Sequence, residues 1–191
     1  MNNTKNYYEI NADNFIESTC KCDMSIQYNL LTKHLNKGDS ILDVGFGSGR
    51  DMLFFKENGY EVYGIDITQK FIENAITLGL NVKQLSVLEI DYKNKFDAIW
   101  ACASLLHLTK TEVEVALEKL YVALKTNGYM YMSFKLGDFS GERNGRYFTD
   151  FTLESFKEVL NKTNFELIES LITKDVRPDR EEYWLNLVIK K

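Results

Sequence analysis

The stretch ILDVGFGSGRD, Ile41–Asp51, decides the fold of this chain. Its first residues form a short apolar run typical of a buried parallel strand, and residues 52–58 have the pattern of a helix. Between these elements glycine occupies alternate positions, at Gly45, Gly47 and Gly49. A glycine-rich turn before a helix N-terminus lets the backbone approach a ligand closely and offers unpaired N–H groups. The stretch therefore predicts a ligand-binding cradle in an α/β fold.

The chemistry of this loop distinguishes two kinds of ligand. The spacing is G-x-G-x-G, whereas dinucleotide-binding enzymes carry G-x-G-x-x-G. Asp43 lies at the end of the predicted strand, where a carboxylate repels a pyrophosphate and attracts a cationic group. S-adenosylmethionine (SAM) carries an ammonium group beside its sulfonium. The loop therefore favours SAM over NAD, and an NAD-dependent oxidoreductase is the remaining alternative.

The length and composition of the chain fit one α/β domain. It has 191 residues, of which 45% are hydrophobic and 13% aromatic, which argues against disorder. The net charge of −5 gives no basic surface for nucleic acid, so a small molecule or a basic protein is a better partner. No apolar run approaches the roughly 20 residues that span a bilayer, and MNNTKNYYEI lacks the apolar segment of a signal peptide.

The cysteines do not predict disulfides or a metal site. Cys20, Cys22 and Cys102 are odd in number, which suits a reducing compartment, so we expect a cytoplasmic protein. The two histidines, His34 and His107, do not complete a metal-ligand pattern with them. We therefore expect ordinary thiols and no bound metal.

Strand and helix patterns alternate from Ser40 onward, after a helical lead-in over residues 1–37. Helices are predicted after Gly49, Thr68, Thr109 and Thr152, and Thr109–Glu112 is a capping box. The predicted strands cover residues 41–44, 61–65, 81–87, 96–102, 129–134, 165–173 and 183–189. This alternation predicts a doubly wound, mostly parallel seven-stranded sheet with helices on both faces and ligands at the carboxyl ends of its strands. We expect an N-terminal helical lid over residues 1–37 and the ligand-binding domain over residues 38–191.

Asp66 is a second candidate for ligand binding. It closes the predicted strand VYGID, 19 residues after Gly47. An acidic residue at about this distance reaches the ribose hydroxyls of a bound nucleoside. The alternative is a helix cap, since Asp66 and Thr68 both precede a helix. The glycine loop upstream in the same unit favours the ribose role.

Four segments together resemble the class I SAM-dependent methyltransferases: ILDVGFGSGRD, YGID, FDAIWACASLLHL and LKTNGYMYMSF. The resemblance covers residues 38–135, and the chain is similar to small bacterial enzymes of the tellurite-resistance and ubiquinone-biosynthesis-like type. It implies a Rossmann-like fold, SAM as cofactor, and in-line methyl transfer to a small-molecule or heteroatom acceptor. The cofactor-binding residues it implies are Asp43, Gly45, Gly47 and Gly49 for the methionine half, Asp66 for the ribose, Ile67, Ser86, Val87 and Leu88 around the adenine, and Ala101, Ser104 and Leu105 beside the cofactor.

Two residues are candidate catalytic bases. His107, in SLLHL, would act if the acceptor is a phenol or an alcohol, and Tyr147 is the other candidate. The alternative for His107 is a structural histidine that begins the next helix. A thiolate, a soft anion or an amine would need no strong base, because orientation and exclusion of water supply much of the rate.

The arginines suggest the chemistry of the acceptor. Four of the five arginines occur in two short segments, GERNGRYFTD and DVRPDREEYWLN. Such planar donors bind carboxylates and phosphates in pairs of hydrogen bonds, which suggests an anionic acceptor. Ion pairs with Glu142, Asp150, Asp179 and Glu181 are the alternative. The candidate substrate-binding residues are Tyr8, Asp23, Met24, Lys135, Arg143, Arg146, Tyr147 and Arg177.

Two further functions stay open at this stage. One is methylation of a protein or an RNA, and the acidic net charge counts against RNA. The other is a non-catalytic SAM-binding protein. An open acceptor pocket beside the methyl group would favour the enzyme, and a filled pocket would favour the binding protein.

Overall fold

The computed structural model describes residues 2–177 and 180–191. The helices are α1 (Asn2–Thr19), α2 (Ser25–Thr32), α3 (Arg50–Glu57), α4 (Gln69–Thr77), α5 (Lys110–Ala123) and α6 (Leu153–Leu160), with short 3-10 turns at Val87–Glu89 and Leu105–His107. The strands are β1 (Ser40–Val44), β2 (Glu61–Asp66), β3 (Val82–Gln84), β4 (Phe96–Ala101), β5 (Leu124–Lys135), β6 (Ser140–Arg143), β7 (Arg146–Thr149), β8 (Glu166–Lys174) and β9 (Tyr183–Lys190).

Seven of these strands form one sheet in the order β3-β2-β1-β4-β5-β9-β8. The first five strands in this order are parallel to one another. β9 lies between β5 and β8 and is antiparallel to both. The strand order reverses between β1 and β4, which opens a crevice at their carboxyl ends. The predicted doubly wound, mostly parallel seven-stranded sheet is confirmed.

Helices cover both faces of the sheet. Alternate residues of the central strands enter different clusters because successive side chains of a strand point to opposite faces. Leu42 and Ile99 pack with α5 and α6, whereas Ile41 and Trp100 pack with α2 and α3. No helix within the described ranges is long and apolar enough to cross a membrane.

The strands differ from the prediction in three places, the first being β5, which begins at Leu124 rather than at residue 129. β3 ends at Gln84 because the chain then forms a 3-10 turn, in which the Ser86 hydroxyl accepts a hydrogen bond from the Leu88 amide at 3.2 Å. The hairpin of β6 and β7 is absent from the prediction. Its turn is Asn144-Gly145, with φ of 49° and 76°, the dipeptide that favours a tight hairpin turn.

The helical segment predicted over residues 1–37 contains two helices, α1 and α2. α1 bends at Asn11, where φ is −106° and ψ is 16°. The Asn11 amide side chain donates to the Tyr7 carbonyl at 2.8 Å, which satisfies backbone at the bend. Residues 20–24 then separate α1 from α2.

Candidate functional site

A cavity of about 470 Å³ lies at the carboxyl ends of β1, β2 and β4. The glycine loop forms one wall, and α1 covers the loop. A Cβ atom at Gly47 would lie 2.9 Å from the Phe15 ring of α1, and a Cβ atom at Gly45 would lie 2.5 Å from Cβ of Ser104. Both glycines have positive φ, 53° and 72°. Only glycine therefore fits these two positions of the loop.

Asp66 connects the loop to the next helix. Its carboxylate accepts hydrogen bonds from the Gly47 amide at 3.2 Å and the Thr68 amide at 2.8 Å. The side chain is buried and lines the cavity, and burial raises the pKa of this carboxyl while the amide bonds oppose the rise. The N-cap of α4 is Thr68, which makes no side-chain cap hydrogen bond, so Asp66 supports the turn before the helix and does not itself cap it.

Asp43 is a buried acid without a full set of partners. It is 1% exposed, and its Oδ2 has no hydrogen-bond partner among the described residues. Burial and the charges of Asp51 and Asp66 raise the pKa of this carboxyl well above its usual range. Of the β1 residues only Val44 lines the cavity, so Asp43 lies behind the cavity wall.

The other implied cofactor residues divide into two groups. Those that line the cavity are Ile67, Ser86, Val87, Ser104 and Leu105. Three do not line the cavity: Gly49, Leu88 and Ala101. Gly49 caps α3, Leu88 lies within the 3-10 turn, and Ala101 is fully buried in β4. Cys102 and Ala103 line the cavity in place of Ala101.

His107 is bonded at both ring nitrogens. Its Nδ1 lies 2.7 Å from the Tyr147 carbonyl, and its Nε2 lies 2.8 Å from the Tyr8 hydroxyl. Because a carbonyl only accepts, Nδ1 carries the proton and Nε2 accepts from Tyr8. Burial lowers the pKa of His107 to about 4 and raises the pKa of Tyr8. The imidazole is therefore neutral, and its unprotonated nitrogen, Nε2, accepts the hydrogen bond from the Tyr8 hydroxyl.

Tyr147 does not bring its hydroxyl to the cavity. That hydroxyl lies 2.9 Å from the Ser140 hydroxyl across the β6–β7 hairpin, at an exposed position. The backbone of Tyr147 orients His107, and its amide donates to the Thr4 hydroxyl at 3.0 Å. The predicted side-chain role as a base is not supported by this placement.

The arginines have different environments. Arg143 donates to both oxygens of Asp150 at 2.6 Å and does not line the cavity. Arg177 lines the cavity, but its Nε and Nη2 are bonded to Asp175 at 2.9 and 2.7 Å. Arg143 thus forms the ion pair of the alternative prediction, whereas the partner of Arg177, Asp175, was not among the predicted acids. The predicted partner Asp179 lies outside the described residues.

Arg146 has no carboxylate partner among the described residues. It lines the cavity, its guanidinium lies 4.3 Å from the Tyr7 ring centroid, and its Nη1 donates to the Tyr8 hydroxyl at 3.3 Å. Its Nε is buried without a hydrogen-bond partner. A cation held between aromatic rings with a free donor is suited to receive an anionic ligand.

The remaining predicted substrate residues also differ in position. Met24 and Lys135 line the cavity, and Lys135 pairs with Glu182. Asp23 does not line the cavity, because its exposed carboxylate accepts a hydrogen bond from the Ser25 amide at the start of α2. Within the described ranges, no group of three or more His, Cys, Asp or Glu side chains could hold a metal ion.

Sequence reasoning missed one buried cluster beside the glycine loop. Asp51 accepts hydrogen bonds from the Tyr28 hydroxyl at 2.7 Å, from the Trp100 indole at 2.8 Å and from Arg50 at 2.6 and 3.0 Å. Arg50 and Asp51 both line the cavity. The sequence signal was an arginine–aspartate pair directly after the last glycine of the loop.

Comparisons with known proteins agree with this geometry. Residues 41–128 match the family model described as a methyltransferase domain. Phosphoethanolamine N-methyltransferase from Plasmodium falciparum is 25% identical over 169 residues, which are 81% of this chain and 61% of the relative. The chain thus spans about three fifths of the length of this curated relative.

Solved structures show the same fold. The 1,6-didemethyltoxoflavin-N1-methyltransferase of Burkholderia thailandensis, solved with 1,6-didemethyltoxoflavin and S-adenosylhomocysteine, has a TM-score of 0.80 and 23% identity over 97% of this chain and 84% of its own. The [4+2]-cyclase SpnF has a TM-score of 0.77 and 16% identity over 97% of this chain and 94% of its own. Residues 41–128 thus match a methyltransferase domain, and the described fold and its glycine cradle resemble those of the solved SAM-dependent methyltransferases.

Proposed function

We propose that the chain transfers a methyl group from SAM to a small-molecule acceptor by in-line displacement. The proposal rests on one observation: a single cavity has two chemically different walls. The glycine loop and Asp66 form one wall, and Tyr8, His107 and Arg146 form the other. The relatives that act on phosphoethanolamine or bind 1,6-didemethyltoxoflavin support a small acceptor.

The wall at the glycine loop fits SAM. The loop has no room for side chains at Gly45 and Gly47, and Asp66 lines the same cavity, which supports its proposed contact with the ribose hydroxyls. Among the described residues, the buried Asp43 Oδ2 behind the loop and the buried Ser104 hydroxyl have no hydrogen-bond partner. When bound, SAM supplies an electrophilic methyl group. The protein orients the acceptor and excludes water, and such positioning is worth roughly 7–11 kcal/mol in favourable cases.

The residues 1–37 act as a lid in this proposal. Phe15 of α1 lies on Gly47, and Tyr8 of the same helix reaches His107. Glu9 accepts from the Gln69 amide at 2.7 Å, which ties α1 to the start of α4. Because α1 covers the cavity, a small acceptor suits the site better than a protein or RNA strand.

The pair of Tyr8 and His107 favours an acceptor whose attacking atom does not need a strong base on the protein. A buried histidine with a pKa of about 4 is a weak proton acceptor. Its Nε2 accepts from Tyr8, and the Tyr8 oxygen, which already accepts from Arg146, has a second lone pair for an N–H of the acceptor. We infer that an amine fits this arrangement better than an alcohol, and that Tyr8 orients it.

Arg146 points to an anionic group on the acceptor. Arg146, Lys135 and Lys174 all line the cavity, although the chain as a whole has a net charge of −5. Arg146 has aromatic rings and a hydroxyl around it rather than a carboxylate among the described residues. We infer that it receives a carboxylate or phosphate of the acceptor.

Calorimetric titration with S-adenosylhomocysteine and with NAD tests the cofactor. We expect micromolar binding of the former, no binding of NAD, and at least about tenfold weaker binding in Asp66→Asn, the cost of one charged hydrogen bond. Binding of NAD alone would refute the proposal. Binding of neither compound would require its withdrawal.

Release of S-adenosylhomocysteine from SAM tests the acceptor. Matched pairs of small amines with and without a phosphate or carboxylate are compared, beginning with phosphoethanolamine and ethanolamine. We expect turnover of anionic amines that Arg146→Gln reduces at least about tenfold. The control Arg143→Gln, outside the cavity, should keep that turnover. Cofactor binding without turnover of any small acceptor would favour a non-catalytic SAM-binding protein.

A further inference from the structure

Arg177 follows the end of β8 and lines the cavity, although its guanidinium is already paired with an acid. Asp175 accepts hydrogen bonds from its Nε at 2.9 Å and from its Nη2 at 2.7 Å. A guanidinium has five N–H donors, so three remain after these two bonds. Among the described residues those three donors have no partner, and the Arg177 side chain is 22% exposed. The guanidinium therefore still has donors for a ligand.

Asp175 fixes the orientation of this guanidinium. Its Oδ1 accepts from the amide and Nε of Arg177, and its Oδ2 accepts from Nη2 of Arg177 and from the Trp184 indole at 3.0 Å. Four is about the number of hydrogen bonds that a carboxylate can accept. Burial raises the pKa of Asp175, but these hydrogen bonds outweigh burial and lower the pKa to about 2. A guanidinium held along one edge by such a carboxylate keeps its other edge pre-organised.

Asp175 does not cancel all the positive charge at this end of the cavity. Lys174 also lines the cavity, and its Nζ lies 6.0 Å from the Tyr183 ring centroid. It has no carboxylate partner among the described residues. The two cations Lys174 and Arg177 and the one carboxylate of Asp175 therefore leave one net positive charge beside the cavity.

This charge is separate from Arg146 on the opposite wall. Between them lies Lys135, whose ammonium is 5.3 Å from the centroid of the Phe148 ring that Arg146 also contacts, at 5.1 Å. Lys135 is paired with Glu182, and the charge of Glu182 also acts on Arg177. Because Glu182 neutralises Lys135, positive charge that is available to a ligand occurs at two places rather than in one continuous patch.

We propose that Arg177 forms a second anion subsite, so that the methyl acceptor is an amine with two anionic groups, each a carboxylate or a phosphate. One group binds Arg146 and the other binds Arg177. Asp175 is a positioning residue that acts through Arg177. This inference rests on the proposed function, because it adds a second group to the acceptor proposed there. The competing explanation is a purely structural Arg177 that only closes the turn after β8.

Calorimetry with simple dicarboxylates tests the two subsites without knowledge of the acceptor. The protein is saturated with S-adenosylhomocysteine and titrated with succinate, glutarate, adipate, pimelate and suberate, each compared with the monocarboxylate of the same chain length. We expect the dicarboxylate that matches the spacing of Arg146 and Arg177 to bind at least about tenfold more tightly than its monocarboxylate. No preference at any length would overturn the inference.

Substitution of either arginine should remove this preference. In Arg177→Gln the matching dicarboxylate should bind like its monocarboxylate, whose own affinity should stay within about twofold because Arg146 still binds it. Arg146→Gln should remove the preference as well. A structural Arg177 would instead leave the tenfold preference in Arg177→Gln, which would refute the second subsite. Arg143→Gln, an arginine paired with Asp150 outside the cavity, is the matched control and should keep the wild-type pattern.

Asp175→Asn separates orientation from net charge. This variant removes a negative charge beside Arg177 but also weakens the paired hydrogen bonds that hold the guanidinium. If Asp175 acts by positioning Arg177, the affinity for the matching dicarboxylate should fall several-fold. A rise in that affinity would show simple attraction by the added positive charge, and would overturn the positioning role of Asp175.

A double variant guards against a folding defect. Arg177→Gln leaves the Asp175 side chain, which is only 2% exposed, without its cation, whereas Arg177→Gln with Asp175→Asn removes both charges. The double variant should bind S-adenosylhomocysteine and should lack the preference for dicarboxylates. If the wild-type protein does not bind S-adenosylhomocysteine, the proposed function fails. If it binds and the preference survives in the double variant, only the role of Arg177 fails.

Discussion

Burial determines the protonation state of His107. The folded protein holds this imidazole neutral with a pKa of about 4, whereas the unfolded chain has the ordinary value near 6.5. Below pH 6.5 the unfolded state therefore binds a proton that the folded state does not. This contribution to stability is complete above pH 6.5 and is lost as the pH falls towards 4. Between pH 7 and pH 5 it should lower the free energy of unfolding by about 2 kcal/mol.

Urea denaturation of wild type and His107→Gln at both pH values measures this effect. The glutamine variant should lack this fall, so its free energy of unfolding should change less between pH 7 and pH 5. Comparison of the two proteins isolates His107, because the buried acids Asp43 and Asp66 remain in both. An equal change in the two proteins would contradict a neutral, buried His107.

Gly47 and Gly79 have similar backbone angles, but alanine at these two positions should affect ligand binding differently. Gly47 has φ of 53° and lies directly against the Phe15 ring, whereas Gly79 has φ of 67° and open space around it. Alanine at either position should cost about 1 kcal/mol of stability, since side chains disfavour positive φ. Only Gly47→Ala should weaken the binding of S-adenosylhomocysteine, at least about tenfold, because the new Cβ displaces Phe15. Calorimetry and urea denaturation of both variants test this, and equal ligand affinities would refute it.

At the scale of elements, α1 should respond to the cofactor. It covers the glycine loop through Phe15, and its backbone is not part of the β-sheet. We expect S-adenosylhomocysteine to slow amide hydrogen exchange in α1 several-fold, because opening of a lid is coupled to ligand release. α5 does not line the cavity and is the internal control. Unchanged exchange in α1 would refute the lid.

The β6–β7 hairpin shows how an element outside the sheet completes the site. It carries Arg146 and the Tyr147 carbonyl, which respectively contact Tyr8 and His107. The dipeptide Asn144-Gly145 favours such a hairpin, so the sequence contained its signal. The pairing of β6 with β7 therefore could be predicted, but its placement against α1 could not.

At the scale of the whole molecule, binding should raise thermal stability. A ligand that binds only the folded state at 100 times its Kd adds about 2.7 kcal/mol. For a chain of this size that corresponds to a rise in Tm of about 5–10 °C. We expect this rise with S-adenosylhomocysteine and none with NAD in a thermal denaturation experiment. A rise with NAD of the same size would contradict a SAM-specific cradle.

The sequence by itself determined the parts of this protein that depend on neighbouring residues. Strand, glycine turn and helix follow one another within Ile41–Asp51, and the Thr109–Glu112 capping box closes within one turn, so local patterns specify them. From these came the sheet, its parallel strands and the position of the cradle. The narrower resemblance to tellurite-resistance and ubiquinone-biosynthesis-like enzymes stays a prediction.

Only the tertiary structure decided which candidate side chains meet. Tyr8 and His107 are 99 positions apart in the chain, and their hydrogen bond exists because α1 folds over the end of β4. Arg143 and Arg146 belong to the same segment, yet one pairs with Asp150 and the other lines the cavity. Burial and long-range partners set charge and accessibility, and no short stretch of sequence contains that information.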